Sequence, residues 1–415
     1  MNSIIKDIAL APSGRNKIEW VKNNMPILAE IEKEFEVTKP FAGRHMLVSV
    51  HIEAKTARFI QLLARSGATV VACGCNPLST QDDVAAALSE TPGVTVFAKY
   101  GITEDEYNDF IDKALETNPQ IIVDDGGDIV SRIHNAHSRL IPNIIGGCEE
   151  TTTGIIRLKA MTESGELKFP MFSVNDAYCK YLFDNRYGTG QSVWNGINRT
   201  TNLIVAGKYT VIAGYGWCGK GCAMRAKALG AKVIVCEIDP IKAIEAIMDG
   251  YEVMPMAEAA KLGDIFVTVT GCENVITKDH FKSMKNGVIL SNAGHFDVEI
   301  NLRDLSSLAV EKKISRENIT TYILDDGRRI NVLAEGRLVN LAAGDGHPAE
   351  IMDMSFAVQA LSAQYLVENH KNLENKLYSV PESIDKKIAG IKLGSMGVAI
   401  DKLTPEQKAY LNIKD

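Results

Sequence analysis

Residues 213–221 read Ala-Gly-Tyr-Gly-Trp-Cys-Gly-Lys-Gly, and the spacing of Gly214, Gly216 and Gly219 suits a loop that holds a pyrophosphate. Gly214 permits a tight turn, Gly216 lets the backbone approach a diphosphate, and Gly219 allows close helix–strand contact. The helix that follows offers free N–H groups and positive potential at its N-terminus. A lone Gly-x-Gly-x-x-Gly is weak, since a glycine loop can merely turn the chain. Here the apolar run Tyr209–Ala213 precedes it, a helical stretch follows from Cys222 to Leu229, and a second strand, Lys232–Cys236, ends at Glu237, eighteen residues past Gly219. A carboxylate there accepts from the adenosine ribose hydroxyls and repels a 2′-phosphate, so the expected cofactor is NAD rather than NADP. The cofactor unit begins near residue 185, so the preceding residues must hold what NAD acts upon.

Those residues read as alternating strands and helices. After a charged helical opening come strand candidates His45–Val50, Ala68–Ala72, Val94–Ala98, Gln120–Val123 and Phe169–Val174, with helical periodicity over Lys55–Arg65. Ligands of an open α/β sheet bind outside the carboxyl ends of its strands. His51, Asn76, Asp125 and the run Glu149-Glu150-Thr151-Thr152-Thr153 should therefore meet on one rim. The second half continues with strands at Ile265–Val269, Gly287–Leu290 and Ile330–Ala334 and a long helical segment from Pro348 to His370. The fold class is α/β: a Rossmann-type NAD domain joined to a doubly wound α/β domain.

Composition narrows the class. A chain of 415 residues, 46% of them hydrophobic, can build two or three sizeable cores. A net charge of −7 argues against nucleic acid or an anionic membrane as the main partner. No apolar run reaches the ~18 residues of a membrane span, and the opening thirty residues lack the apolar core of a signal peptide. Eight scattered cysteines suit reduced thiols, so a cytoplasmic enzyme is expected. Cys73 and Cys75 flank Gly74 at a strand end with no second pair and no His at ligand spacing, so no metal is expected.

Longer motifs carry a resemblance. Asn76-Pro-Leu-Ser-Thr-Gln-Asp82, Asp124-Asp-Gly-Gly-Asp128, Glu149-Glu-Thr-Thr-Thr-Gly154, Phe183-Asp-Asn-Arg-Tyr-Gly188, Asn292-Ala-Gly-His-Phe-Asp297, Ala334-Glu-Gly-Arg-Leu-Val-Asn340 and Gly346-His-Pro348 resemble the S-adenosyl-L-homocysteine hydrolase family over nearly the whole chain. The resemblance implies a substrate domain over 1–184 and 346–385, an NAD domain over 185–345, a short oligomerisation segment over 386–415, and a homotetramer. It also implies a small-molecule nucleosyl-homocysteine as substrate. A thioether at C5′ is a poor leaving group; oxidising the 3′-hydroxyl acidifies the C4′ proton, homocysteine leaves by β-elimination, water adds at C5′, and re-reduction restores NAD.

Roles follow by the same resemblance. Lys180 and Asp184, four apart on an expected helix, share a face and contact the 3′-hydroxyl, with Lys180 as a base whose pKa burial lowers. Glu150 meets ribose hydroxyls. His51 and Asp125 transfer protons at C5′, His295 and His347 sit near the homocysteine arm or its entrance, and Met352 joins the substrate contacts. Thr151, Thr152, Thr153, Asn185, Glu237, Thr270, Asn292 and Asn340 contact NAD, Asn340 at the nicotinamide carboxamide. Blander readings exist: an exposed helix ion pair for Lys180 and Asp184, a plain turn at Asp124–Gly127, a helix start at Glu149–Thr151.

The chain departs from the family pattern in three places. Lys242 stands where an Asn is usual, and the end at Leu411-Asn-Ile-Lys-Asp415 lacks a Lys- and Tyr-containing extension that covers a neighbour's NAD, so looser NAD binding is expected. After His51 the usual Thr and Glu or Gln are Glu53 and Lys55. Lys55 can only donate. Lys55 to a 6-oxo group and Glu53 to the ring N–H would satisfy hypoxanthine, whereas the opposite seating would fit adenine. Both seatings stay open, as does a Lys55 turned to solvent; replacement of the amino-reading residue favours S-inosyl-homocysteine over S-adenosyl-homocysteine. The readings from other classes are an NAD dehydrogenase of the 2-hydroxy-acid type and an inactive relative that only binds NAD or a nucleoside.

Overall fold

The computed structural model describes residues 2–413, arranged around two mainly parallel sheets. The first contains β1 (His45–Ser49), β2 (Thr69–Cys73), β3 (Val94–Phe97), β4 (Ile121–Asp124), β5 (Gly146–Glu149) and β6 (Met171–Ser173). The second contains β7 (Tyr209–Ala213), β8 (Lys232–Cys236), β9 (Glu252–Val253), β10 (Ile265–Thr268), β11 (Val288–Asn292), β12 (Ala309–Arg316), β13 (Ile319–Leu324) and β14 (Arg329–Leu333). A last strand, β15 (Leu377–Ser379), returns to the first sheet beside β6. Helices cover both faces, which is why Met46–Val48 and Ile121–Val123 are wholly buried continuous apolar runs.

The strand order locates the sites. In the first sheet the order is β3-β2-β1-β4-β5-β6-β15, so the chain moves outward from β1 and then crosses back to β4. Ser49 pairs with Asp124 at the carboxyl ends of those two strands, and the loops beyond them diverge into a crevice. In the second sheet β7 lies between β8 and β10, with Ala213 paired to Cys236 and Thr268. A second crevice therefore opens beyond Ala213 and Thr268.

Several elements differ from the sequence reading. The nucleotide-loop helix starts at Trp217 with Gly216 as its N-cap, so the glycine run itself forms the first turns. Lys180 and Asp184 do not share an α-helix: Tyr178–Lys180 is one short turn and Tyr181–Gly188 is a π-helix. The antiparallel hairpin of β12 and β13 was not expected at all. The helix Ala349–Asn369 is buried nearly all round and packs on β5 and on the π-helix. Of the segment 386–415, Lys414 and Asp415 lie outside the described residues.

The helix Ala54–Arg65, which follows His51, is anchored by charge. Arg58 is fully buried and donates to both carboxylate oxygens of Glu32, at 3.0 and 2.8 Å, while Arg65 adds a third bond at 3.0 Å. Burial alone would raise Glu32, but Arg58 and Arg65 outweigh it and hold the carboxyl below its usual range. Glu32→Ala should cost about 3–5 kcal/mol by leaving Arg58 unpaired. Urea unfolding should also show that the double variant Glu32→Leu/Arg58→Met recovers most of that loss; a loss equal to that of the single variant would refute this account.

Candidate active site

The two crevices share one cavity of about 1410 Å³. That exceeds the roughly 300–1,000 Å³ of an ordinary small-molecule site, so it has room for two ligands side by side. One wall carries Gly214, Gly216, Glu237, Thr270 and Asn340, the other His51, Glu53, Asp125, Glu150, Lys180, Asp184 and Met352. Thr151, Thr152, Thr153 and Asn185 line it as well.

On the first wall each glycine has a geometric reason. Gly214 has φ +105°, and Gly216 has nothing within 4 Å of where a Cβ would stand, leaving its backbone open to a ligand. A Cβ on Gly219 would run into the Gly214 carbonyl oxygen, so helix and loop touch only because it is absent. Glu237 accepts from the N–H of Tyr215 at 2.6 Å and of Ile238 at 2.7 Å, which fixes the carboxylate at the tip of β8. Asn340 donates to Ser192 Oγ at 3.2 Å, while its Oδ1 is buried without any partner. A buried carbonyl oxygen on the cavity wall calls for an N–H from a ligand, and a carboxamide supplies one. The donor set thus fits a dinucleotide from ribose to nicotinamide.

Two details on this wall escape the sequence reading. Asn292, expected to contact the cofactor, is occupied elsewhere: it donates to the Gly294, Phe296 and Gly336 carbonyls and accepts from Thr268 and Gly294. With its amide satisfied by backbone, it ties loops together and does not line the cavity. Glu299 was missed; it accepts from the N–H groups of Thr270 and Gly271 and from Thr270 Oγ1 at 2.7 Å, shaping the loop after β10. Thr270 thereby reaches the cavity with its hydroxyl already committed.

On the opposite wall Lys180 is 5% exposed and surrounded by oxygens. Asn185 Oδ1 lies at 2.9 Å, Asn175 Oδ1 at 3.2 Å, Asp184 Oδ1 at 3.5 Å and Glu150 Oε1 at 3.6 Å. The expectation that burial lowers the Lys180 pKa is overturned. Burial does pull it down, but Asp184 and Glu150 outweigh it, and the amine is held charged well above its usual range. Asp184 stays a carboxylate because Lys180 and His347 more than offset its burial. Glu150 goes the other way: burial, only partly countered by Lys180, pushes it up to about 7.

The long helix Ala349–Asn369 completes this cluster with residues the sequence reading overlooked. Ser355 donates to Asp184 at 2.7 Å and Gln359, one turn on, donates to Glu150 at 2.6 Å. Ser355 and Gln359, four apart with the apolar residues Phe356, Ala357 and Val358 between them, were the available signal. The two histidines expected together bond to different groups. His347 sits 3.1 Å from Asp184 and 3.3 Å from Thr189, while His295 packs on Gly126 with its Nδ1 3.9 Å from Asp125.

At the first crevice, His51 Nδ1 lies 2.7 Å from Ser79 Oγ and Nε2 lies 3.4 Å from Asp125. Burial lowers His51 to about 4, so the ring is neutral. Glu149 braces this rim by accepting from the N–H groups of Gly126 and Thr151, both at 2.9 Å. Cys75, which the sequence left without a ligand partner, comes within 3.4 Å of Asp125 Oδ2 and joins His51 there.

Comparison with known proteins now decides the family. Residues 185–346 match the model for the NAD binding domain of S-adenosyl-L-homocysteine hydrolase, and residues 2–141 match the model for S-adenosyl-L-homocysteine hydrolase. An adenosylhomocysteinase of Thermococcus kodakarensis is 60% identical, spanning 98% of this chain and 96% of that one. The chain belongs to the S-adenosyl-L-homocysteine hydrolase family. S-inosyl-L-homocysteine hydrolases of Methanosarcina acetivorans and Methanocaldococcus jannaschii are 56% and 54% identical, each spanning at least 97% of both chains. Among solved structures, a dipicolinate synthase chain of Bacillus halodurans shares the fold at 13% identity, with a TM-score of 0.50 over 79% of this chain and 99% of that one. This family member is thus an NAD-dependent hydrolase acting on the thioether of an S-nucleosyl-homocysteine. Among the described residues no helix is long and apolar enough to cross a membrane.

Gly219→Ala should drive helix and nucleotide loop apart and abolish retention of NAD, measured as nucleotide released on denaturing the purified protein. Retention at the parent level would contradict the packing role given to Gly219.

Proposed function

We propose that the enzyme prefers S-inosyl-L-homocysteine, releasing inosine and L-homocysteine. The observation that carries this is the place of Lys55. It is 5% exposed, so it does not point to solvent; its ammonium lies 2.7 Å from Glu53 and donates to the Asp345 carbonyl at 2.5 Å. Glu53 lines the cavity, and the Lys55 ammonium pairs with its carboxylate. An ammonium has three N–H donors, so one is left after Glu53 and Asp345, and we assign it to the base. A 6-oxo group beside a ring N–H meets that donor and the Glu53 acceptor together. Relatives bearing the adenosyl and the inosyl name are similar to nearly the same degree, so identity alone does not discriminate.

With nucleosyl-homocysteines compared side by side, kcat/KM should favour the inosyl substrate by about tenfold or more, because the wrong base leaves buried polar groups unpaired. Lys55→Gln should narrow or invert that ratio. A higher kcat/KM for the adenosyl substrate in the parent enzyme would return adenosine as the product.

The residue roles are assigned on the geometry above. Bound NAD supplies a hydride acceptor for C3′ and returns the hydride at the end. Lys180, Asn185 and Asp184 orient the 3′-hydroxyl, and Glu150 is the proton acceptor. Its Oε1 faces Lys180 without a hydrogen-bond partner, so Lys180 hands its proton to Glu150 as it takes one from the hydroxyl. At C5′, a neutral His51 with Nδ1–H on Ser79 presents a bare Nε2 to Asp125. Homocysteine leaves as its thiolate; Nε2 then takes a proton from the water whose oxygen adds at C5′ and passes that proton to the thiolate. We further assign 1–184 and 346–385 to the substrate, 185–345 to NAD, and 386–415 to contacts within a homotetramer, which light scattering tests. Free cysteines throughout the described residues support a cytoplasmic setting.

Because Glu150 must be ionised to accept, substrate oxidation should rise with pH through about 7 and be lost below it. Single-turnover appearance of NADH absorbance reads this directly. Glu150→Gln should remove that limb and slow the step about 100-fold or more; an unchanged limb would move the role to another group.

A further inference from the structure

We propose that Glu149 is a positioning residue for both ends of the reaction, one of its oxygens holding Asp125 and Glu150 in a fixed relation to each other. The effect on turnover rests on the roles given to Asp125 and Glu150; the clamp itself does not.

Glu149 is wholly buried at the end of β5 and does not line the cavity. Its Oε1 accepts from the N–H of Gly126 and from that of Thr151, both at 2.9 Å. Those N–H groups belong to the peptide units directly after Asp125 and directly after Glu150, so one atom grips the backbone behind both carboxylates. Asp124, its partner on β4, secures the peptide units in front of them. There the Asp124 Oδ1 accepts from the Asp125 N–H at 3.0 Å, and its main-chain oxygen accepts from the Glu150 N–H at 2.9 Å. Asp125 beside the C5′ step and Glu150 beside the C3′ step thus keep one spacing, although they follow different strands. The helix Thr152–Glu163 closes over this carboxyl, and a Cβ on Gly154 would collide with it, so the glycine gives Glu149 the room to reach forward.

The clamp works without charge. Lys180 is taken by Glu150 and Asp184, and among the described residues no Lys, Arg or His pairs with Glu149 or Asp124. Glu149 Oε2 is buried with no partner, which costs far less for a neutral acid than for a carboxylate. Burial, with Asp124 and Asp125 adding to it, outweighs the two N–H donors and holds Glu149 well above the usual carboxylate range. A negative charge there would also stand next to Glu150 and oppose the ionisation that Glu150 needs in order to accept a proton.

Two variants of the NAD-loaded enzyme separate reach from charge: Glu149→Gln keeps the reach and the acceptor, whereas Glu149→Asp keeps the acid and is one methylene short. Hydrogen–deuterium exchange read by mass spectrometry should quicken in the segments 125–128 and 150–153 together in Glu149→Asp and stay at the parent level in Glu149→Gln. Two rates are then read with inosine and again with adenosine, so the base preference does not enter. NADH appearance reports the C3′ step; exchange of the nucleoside's 5′-oxygen with ¹⁸O-labelled water, per enzyme carrying NADH, reports the C5′ step. Both should fall about tenfold or more in Glu149→Asp and stay within about threefold of the parent in Glu149→Gln. Gly154→Ala, which crowds the carboxyl without altering it, should behave as Glu149→Asp does and replaces it if that variant does not fold. A Glu149→Gln enzyme as slow as Glu149→Asp overturns the uncharged clamp, and parent-level deuterium exchange in Glu149→Asp, or a fall in only one rate, overturns the joint one. Faster deuterium exchange in both segments with both rates at the parent level confirms the contact but overturns the positioning of Asp125 and Glu150 for turnover.

Discussion

A lysine ammonium removed from water is among the most costly things a protein can bury, by several kcal/mol even after relaxation. Lys180 is buried and still charged because two carboxylates and two amide oxygens surround it. None of these partners can be lost without exposing the cost. Glu150 follows β5, Asn175 follows β6, Asp184 and Asn185 lie in the π-helix, and the long helix supplies Ser355 and Gln359 to orient the carboxylates. The cluster therefore exists only when three segments far apart in sequence are docked, and much of the architecture can be read as what is required to dock them.

The same cluster explains why two carboxylates 34 residues apart in sequence titrate so differently within one cavity. Asp184 has the Lys180 ammonium, the His347 ring and a hydroxyl donor against it and remains ionised. Glu150 has one cation at 3.6 Å and a neutral amide, which do not offset complete burial, so its proton affinity sits near neutrality. One group is thereby a permanent counter-ion and the other a group that can change its protonation state. The separation of roles comes from placement, since both are ordinary carboxylates.

What is legible in the sequence is what is local. The glycine loop, Glu237 and the polar residues after β1, β4 and β5 show themselves through strand length, turn residues and spacing. The π-helix does not, because i, i+4 spacing of Lys180 and Asp184 reads the same in either helix type. The hairpin strand β12 was missed because Glu311, Lys312 and Lys313 interrupt any apolar pattern; charged residues of that kind suit an exposed edge, where pairing by another chain must be discouraged. The charge on Lys180 was misread for a related reason: burial can be guessed from neighbours in sequence, but the number of carboxylates that arrive from elsewhere cannot. Asn292 illustrates the converse, a polar residue in a matched motif whose amide is spent on backbone.

The chain passes from the first sheet to the second through Tyr181–Gly188 and returns through the turn that carries Asp345, Gly346 and His347. Both passages carry residues of the buried cluster: Asp184 on the first, His347 on the second, 3.1 Å from each other. The N-terminal side of the first passage is pinned as well, since Asp385 accepts from the N–H groups of Tyr178 and Cys179 at 3.0 and 2.7 Å. A rotation of one sheet against the other about these two passages would stretch the Asp184–His347 contact that joins them. Stretching a polar contact to a buried carboxylate is unfavourable unless water follows. Opening the cavity and hydrating the cluster are for that reason one event, and closing it over a substrate restores in one step both the dry surroundings and the proton affinities on which the chemistry depends.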